Sequence, residues 1–236
     1  MTDLSRTRPD PQQRRAVARA LALGLGLGLA AGAAGAQPGN AGAPLVDAAQ
    51  RGDLARVRAL LDTGTPIGQR DARGRTAVLA ATDGNHLPVV RLLIARGADV
   101  NAQDEQHDSA FLLAGARGHT AIVRATLDAG ADLASTNRYG GTALIPACHY
   151  GHVETVRLLL QTRIDVDHVN KLGWTALLEA VILGDGGPAH QEIVRLLIAS
   201  GAALNLADQG GVTPLQHARR RGQAQVAAML QAAGAR

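Results

Sequence analysis

The chain has 236 residues and a formal net charge of +4, and aromatic side chains make up 2% of it: one Phe, two Tyr and one Trp. So few rings exclude an ordinary globular core of this length and leave a thin interior built from Ala, Leu, Val and Ile. Five of the 24 basic residues (Arg6, Arg8, Arg14, Arg15, Arg19) and two of the 20 acidic ones (Asp3, Asp10) precede residue 37, so the remainder is close to neutral and has no general electrostatic reason to seek nucleic acid.

The first distinctive element is N-terminal. Arg14, Arg15 and Arg19 lead into the apolar run Ala20–Ala31, which is followed by the small residues Ala34-Gly35-Ala36. A basic stretch, a short apolar core and a small-residue end are the three parts of an export signal. The run falls short of the ~20 apolar residues a membrane span needs. A cleavable signal over residues 1–36 is therefore expected, cut after Ala36 with Ala33 as the neighbouring alternative, and with no membrane span in the mature form. General secretion is preferred to twin-arginine export, because Ala16-Val17-Ala18 supplies no bulky apolar group after Arg14-Arg15. The expected location is periplasmic or secreted. Residues 37–43, rich in Gly, Pro and Ala, read as a short flexible leader.

From there the chain repeats itself. Thr76, Ser109, Thr142 and Thr175 recur every 33 residues, and Thr213 follows after 38. Counting that residue as zero, position five is Ala in every block (Ala48, Ala81, Ala114, Ala147, Ala180, Ala218). Position two is apolar throughout (Leu45, Val78, Phe111, Leu144, Leu177, Leu215). Residues 44–236 thus hold six units, the first of them degenerate. A block this short cannot bury its apolar face alone, whereas stacking buries it, which predicts a solenoid. A second stripe follows in each block, as in Val89-Val90-Arg91-Leu92-Leu93 and Val156-Arg157-Leu158-Leu159, spaced for one helical face.

Gly64, Gly97, Gly130, Gly201 and Gly234 stand where the second helices should end in the left-handed region. Arg163 interrupts that series, so unit four is expected to end its helix differently. Asp71, Asn137, Asn170 and Asp208, each with Gly three residues on, mark turns between units. Asp104 has His107 instead, which makes the turn entering unit three the least regular in expectation. The fifth unit carries a five-residue insertion at about 184–188, where Gly186-Gly187-Pro188 should break the first helix and start the second.

The period, the run Thr213-Pro214-Leu215, the Thr-Ala-Leu variants at Thr142 and Thr175, and the pairs Gly118-His119 and Gly151-His152 resemble ankyrin repeats. The resemblance covers residues 43–236. It implies an all-α solenoid of six stacked helix–turn–helix units joined by β-turn or hairpin loops, binding other proteins through turn tips and the exposed face of the first helices. One departure is systematic: the family's His after Thr-Pro-Leu is replaced by Leu79, Leu112, Ile145, Leu178 and Gln216, so its hydrogen bonds must be supplied otherwise or omitted.

By that resemblance the contact positions are one to four before each Thr and four, seven and eight after it. Units four and five place Arg138, Tyr139, His149, Tyr150, Lys171, Leu172, Trp174, Glu179, Ile182 and Leu183 there. Three of the four aromatic residues fall on this one expected surface, and Tyr, Trp and Arg are the residue types of binding hot spots. The alternative is that Tyr139 and Trp174 only cover their own turns.

The chemistry-bearing residues do not converge. His86, His119, His152 and His190 share one helix-junction position, one per unit, with none of the i, i+4 pairs a zinc enzyme uses. Cys148, the single cysteine, takes a small buried position where a thiol is inert. Gly184-Asp185-Gly186-Gly187 lacks the preceding strand and the Lys-Ser/Thr of a phosphate loop. No catalytic, cofactor-binding or metal-ligating residue is assigned. The leading expectation is a non-catalytic, monomeric interaction scaffold of the bacterial periplasm that binds another protein. Its resemblance to exported bacterial ankyrin proteins implies a supporting role in stress defence. A hydrolase-like enzyme using His149 and Glu179, and a nucleic-acid binder, are the alternatives. Polar ends are expected from Gln50, Arg51, Arg56 and Arg58 at the start and from Arg220, Arg221, Gln223 and Gln225 at the finish.

Overall fold

The computed structural model describes residues 42–236; the expected signal, its cleavage point and nearly all of the leader lie outside the described residues. Six helix pairs follow one another: α1 Pro44–Gln50 and α2 Leu54–Asp62, α3 Ala77–Asp83 and α4 Leu87–Ala95, α5 Ala110–Arg117 and α6 Thr120–Asp128, α7 Leu144–His149 and α8 Val153–Leu159, α9 Ala176–Ile182 and α10 Pro188–Ala199, α11 Pro214–Arg220 and α12 Ala224–Ala232. First helices stack on first helices and second on second, so two helical layers run along the protein. The fold is an all-α solenoid; among the described residues the one β-type pairing is an isolated bridge between Arg70 and Thr76.

The core is a file of small and branched residues. The six position-five alanines are buried, and so are the position-two residues, with Phe111 the largest fully buried side chain. Small size is required because first helices approach closely. A Cβ on Gly115 would lie 2.9 Å from both the Cβ and the carbonyl oxygen of Ala143 in the next unit.

The recurring hydroxyl starts the first helices. Thr76, Ser109, Thr175 and Thr213 each accept a hydrogen bond from the backbone N–H three residues on, at 3.2–3.4 Å. Thr213 adds a capping box through Gln216. Thr142 holds the same register and makes no such bond; its hydroxyl is buried without a partner. The cause is Pro146. In the other four units the N–H at position four bonds the Thr or Ser carbonyl, as Ala80 does to Thr76 at 2.9 Å. Proline has no N–H, so Ile145 N–H turns to the Thr142 carbonyl at 3.3 Å and is lost to the hydroxyl. Helix α7 is accordingly the shortest, at six residues.

At the other ends, Gly64, Gly97, Gly130, Gly201 and Gly234 all adopt positive φ. Unit four ends differently, as Arg163 suggested. Helix α8 stops at Leu159, Thr162 Oγ1 donates to the Leu159 carbonyl at 2.6 Å, and Thr162 Oγ1 accepts from Ile164 N–H. The turn entering unit three, expected to be the least regular, is regular. Asp104 accepts from the N–H groups of Gln106 and Asp108, and His107 takes the glycine conformation at φ 58. Its ring is exposed, so nothing obstructs the strained backbone there.

A side-chain ladder ties the units together. The Nε2–H of His86 reaches the carbonyl of Gln50 at 3.1 Å, that of His152 the carbonyl of Ala116 at 3.1 Å, and that of His190 the carbonyl of His149 at 2.9 Å. Gln223, expected on a polar end face, is buried instead and serves as the last rung, donating to the carbonyls of Val181 and Gly184. His190 was expected at a helix junction and lies inside α10. The insertion lengthens that helix to 12 residues, and Asp185 accepts from both Gly187 N–H and His190 Nδ1 at 2.8 Å.

Candidate partner-binding surface

The turn tips form a hydrogen-bonded rib. Glu105 N–H donates to the Arg73 carbonyl, Arg138 N–H to Gln106 and Lys171 N–H to Tyr139, each at 3.0–3.2 Å. Each tip is held by its own Asx side chain: Asn137 accepts from Tyr139 and Gly141, Asn170 from Leu172 and Trp174. This places Arg138, Tyr139, Lys171 and Leu172 side by side on two consecutive tips. Arg138 lies over the Tyr139 ring, 4.7 Å from its centre, and its guanidinium also donates to the Gln106 side chain. Lys171 Nζ donates to the Arg138 carbonyl at 2.9 Å.

Behind the tips, His149 and Tyr150 close helix α7 with rings stacked at 4.1 Å. Both are half-buried, as are Ile182 and Leu183 at the end of α9. The surface so defined carries both tyrosines of the chain.

Two of the expected contact residues face inward. Trp174 is 8% exposed and Glu179 3% exposed. The residue immediately before each Thr is not a tip residue; it closes the turn. Trp174 donates its N–H to Asn170 Oδ1 and its carbonyl accepts the Asn170 N–H, both at 3.0 Å, which carries the indole inside. Glu179 is turned in because it holds that same turn, accepting from Asn170 Nδ2 at 2.9 Å.

Glu179 also answers what replaces the family's histidine. Position four, one residue later, does so in unit six as well, where His217 Nε2 meets Asp208 Oδ2 at 3.0 Å. In unit two the tether comes from before the Thr, Arg75 Nε donating to Asp71 Oδ2 at 2.8 Å. Position four carries the signal that could have found them, a Glu and a His where the other units have Ala80, Leu113 and Pro146.

The His149–Glu179 pair does not make an acid–base couple. Their nearest atoms are 3.7 Å apart. Burial raises the Glu179 carboxyl to about 8, opposed by the Asn170 hydrogen bond, and burial lowers His149 to about 4, helped by His190 and His152. At neutral pH both are uncharged, Glu179 buried and His149 half-buried. Burial, with a smaller contribution from Glu179, also holds the Cys148 thiol well above its ordinary range. Among the described residues no group of three or more His, Cys, Asp or Glu is placed to hold a metal ion, and no helix is long and apolar enough to cross a membrane.

A family description of ankyrin repeats in three copies matches residues 28–104, 111–208 and 164–236. The chain belongs to the ankyrin repeat family, whose fold is a non-enzymatic scaffold for binding other proteins. An ankyrin repeat domain from Acinetobacter baumannii AYE superposes with a TM-score of 0.79 at 53% identity, over 82% of this chain and 98% of that one. The ankyrin repeat protein EF0377 does so with a TM-score of 0.77 at 38% identity, over 82% and 98%. A protein of Escherichia coli K12 named for its ankyrin repeats, YahD, is 51% identical over 57 residues, 24% of this chain and 28% of that protein's length.

Proposed function

We propose that the chain is an exported scaffold that captures another protein through the turn tips and first-helix ends of units four and five. One observation carries the reading: Arg138, Tyr139, Lys171 and Leu172 on adjacent tips stand together with His149, Tyr150, Ile182 and Leu183, and both tyrosines of the chain lie among them. Aromatic side chains and Arg at the centre of a patch give the large, rigid contact area of a hot spot. Trp174 and Glu179 support the patch from beneath and touch no partner. The protein acts as a monomer in the periplasm, a location supported by the N-terminal signal pattern, and lends support to stress defence there.

The test is co-purification from the envelope fraction with wild type and with Tyr139→Ala/Leu172→Ala. Loss of the captured protein with unchanged helical content is expected. Retention of the same protein by the double variant overturns the site, and an uncut precursor in the cytosolic fraction overturns the location.

A further inference from the structure

The second helices carry a column of arginines in register, one in each of units one to five: Arg58, Arg91, Arg124, Arg157 and Arg195. The column is electrostatically uneven. In units four and five it is neutralised from within. Glu192 bridges the two, accepting from Arg157 Nη2 at 2.8 Å and from Arg195 at 2.6 and 2.7 Å, and Glu154 lies 3.7 Å from Arg157. Both glutamates stand three residues before their arginine. In units one to three that position is Ala55, Pro88 and Ala121, and Arg58, Arg91 and Arg124 form no ion pair among the described residues.

A cleft lies between α4 and α6 where units two and three have no such acid. It is shallow, about 250 Å³ in volume, and is lined by Arg91, Ile94 and Ala95 of α4 and by Ala121, Arg124, Ala125 and Asp128 of α6. Ala121 sits where Glu192 projects two units further on, so this chain displays the group that fits the cleft: a carboxylate shared between two successive column arginines.

We propose that this cleft receives an acidic side chain from an extended segment of a partner protein, whose carboxylate bridges Arg91 and Arg124 as Glu192 bridges Arg157 and Arg195. Adjacent helices pack about 8–10 Å apart, so a second carboxylate on the same segment reaches Arg58. The partner is acidic peptide and not a continuous polyanion, because Asp128, which also lines the cleft, opposes an unbroken row of phosphates more than a single carboxylate placed between Arg91 and Arg124. The apolar lining accommodates the methylenes of a glutamate. This surface belongs to the second-helix layer and is independent of the turn-tip patch.

The test is fluorescence anisotropy with a labelled peptide bearing Glu at every third position, against the same peptide with Gln. Wild type should bind the Glu peptide and release it with salt. Ala121→Glu supplies the carboxylate from within and should weaken binding by about tenfold, as should Arg91→Ala/Arg124→Ala, while Arg195→Ala leaves it unchanged. Position 121 is exposed on a helix, so a folded Ala121→Glu protein is expected, checked by circular dichroism. No binding by wild type, binding indifferent to Ala121→Glu, or tighter binding of an oligodeoxynucleotide or of phosphatidylglycerol vesicles through the same arginines would each overturn the proposal.

Discussion

Two successive unit junctions present a histidine at the same register position, and only one of them closes its rung. Between units three and four, the ring of His152 passes over Gly118 to the carbonyl of Ala116 at 3.1 Å. A Cβ on Gly118 would lie 2.5 Å from the ring's Nδ1, and Gly52 stands in the same relation to His86. Between units two and three, the place of Gly118 is held by Asn85, in the left-handed region at φ 56. By the geometry at Gly118, a Cβ at this register position falls where the His119 ring would pass toward the Asp83 carbonyl. His119 Nε2 is buried and has no hydrogen-bond partner among the described residues, and burial, with Arg117 adding to it, holds its imidazole below its ordinary range. The ladder is therefore conditional on glycine at the crossing point, a requirement separate from the positive φ that Asn85 also satisfies.

The largest loss should come from the packing that both junctions share. Phe111 on α5 lies between them and is fully buried; Phe111→Ala should cost about 3–5 kcal/mol in urea unfolding. A cost near that of a surface substitution would mean that units two and three are not coupled through this side chain. Next, Gly118→Asn should transplant the open rung. It displaces the His152 ring and leaves a buried imidazole nitrogen unpaired, a loss of about 1–3 kcal/mol. Gly64→Asn is the control, because that glycine has comparable φ and nothing within 4 Å of its Cβ position. Equal losses at the two sites would break the comparison.

The turns repeat the contrast in electrostatic form. Unit six tethers Asp208 with His217, whereas unit five tethers the neutral Asn170 with a buried Glu179. Glu179 titrates near 4.5 when exposed and at about 8 in the fold. Between those values the folded chain binds the extra proton, so stability falls as pH rises. His149 runs the other way, from 6.5 down to about 4, and stability falls as pH drops through that window. The two offset each other between about pH 4.5 and 6.5. Between about pH 6.5 and 8 the Glu179 slope is no longer offset by His149. Glu179→Gln keeps an acceptor for Asn170 and should add about 1–2 kcal/mol at pH 8, flattening the profile between pH 6.5 and 8. A profile that keeps its slope in the variant would assign the loss to another group.

How much of this could be read from the residues alone follows the same division. The unit length, the position-five alanines and the glycine helix ends were legible because each is a local demand repeated in register. The Asp104–His107 turn was misjudged because a histidine with free space around it tolerates positive φ. Trp174 and Glu179 were placed outward because the register alone does not say which tip residues close the turn; the Asn170 hydrogen bonds decide it. The idle hydroxyl of Thr142 follows from Pro146 four residues on, and is legible once the position-four N–H is traced. Asn85 was not legible at all, since its consequence falls on His119 in the next unit.

The smallest expected effect is the most diagnostic. Asn85→Gly removes the Cβ from the crossing point, lets the His119 ring swing to the Asp83 carbonyl, and relieves a left-handed non-glycine residue. The gain should be about 1 kcal/mol, the size of one net hydrogen bond, reduced by the entropy glycine adds to the unfolded chain. Hydrogen exchange separates the two contributions, since a new rung protects the amides of α3 and α6 and backbone relief alone does not. In the Asn85→Gly background, His119→Ala should then cost about as much as His152→Ala does in wild type. If it still costs less, something other than the asparagine Cβ holds the ring away.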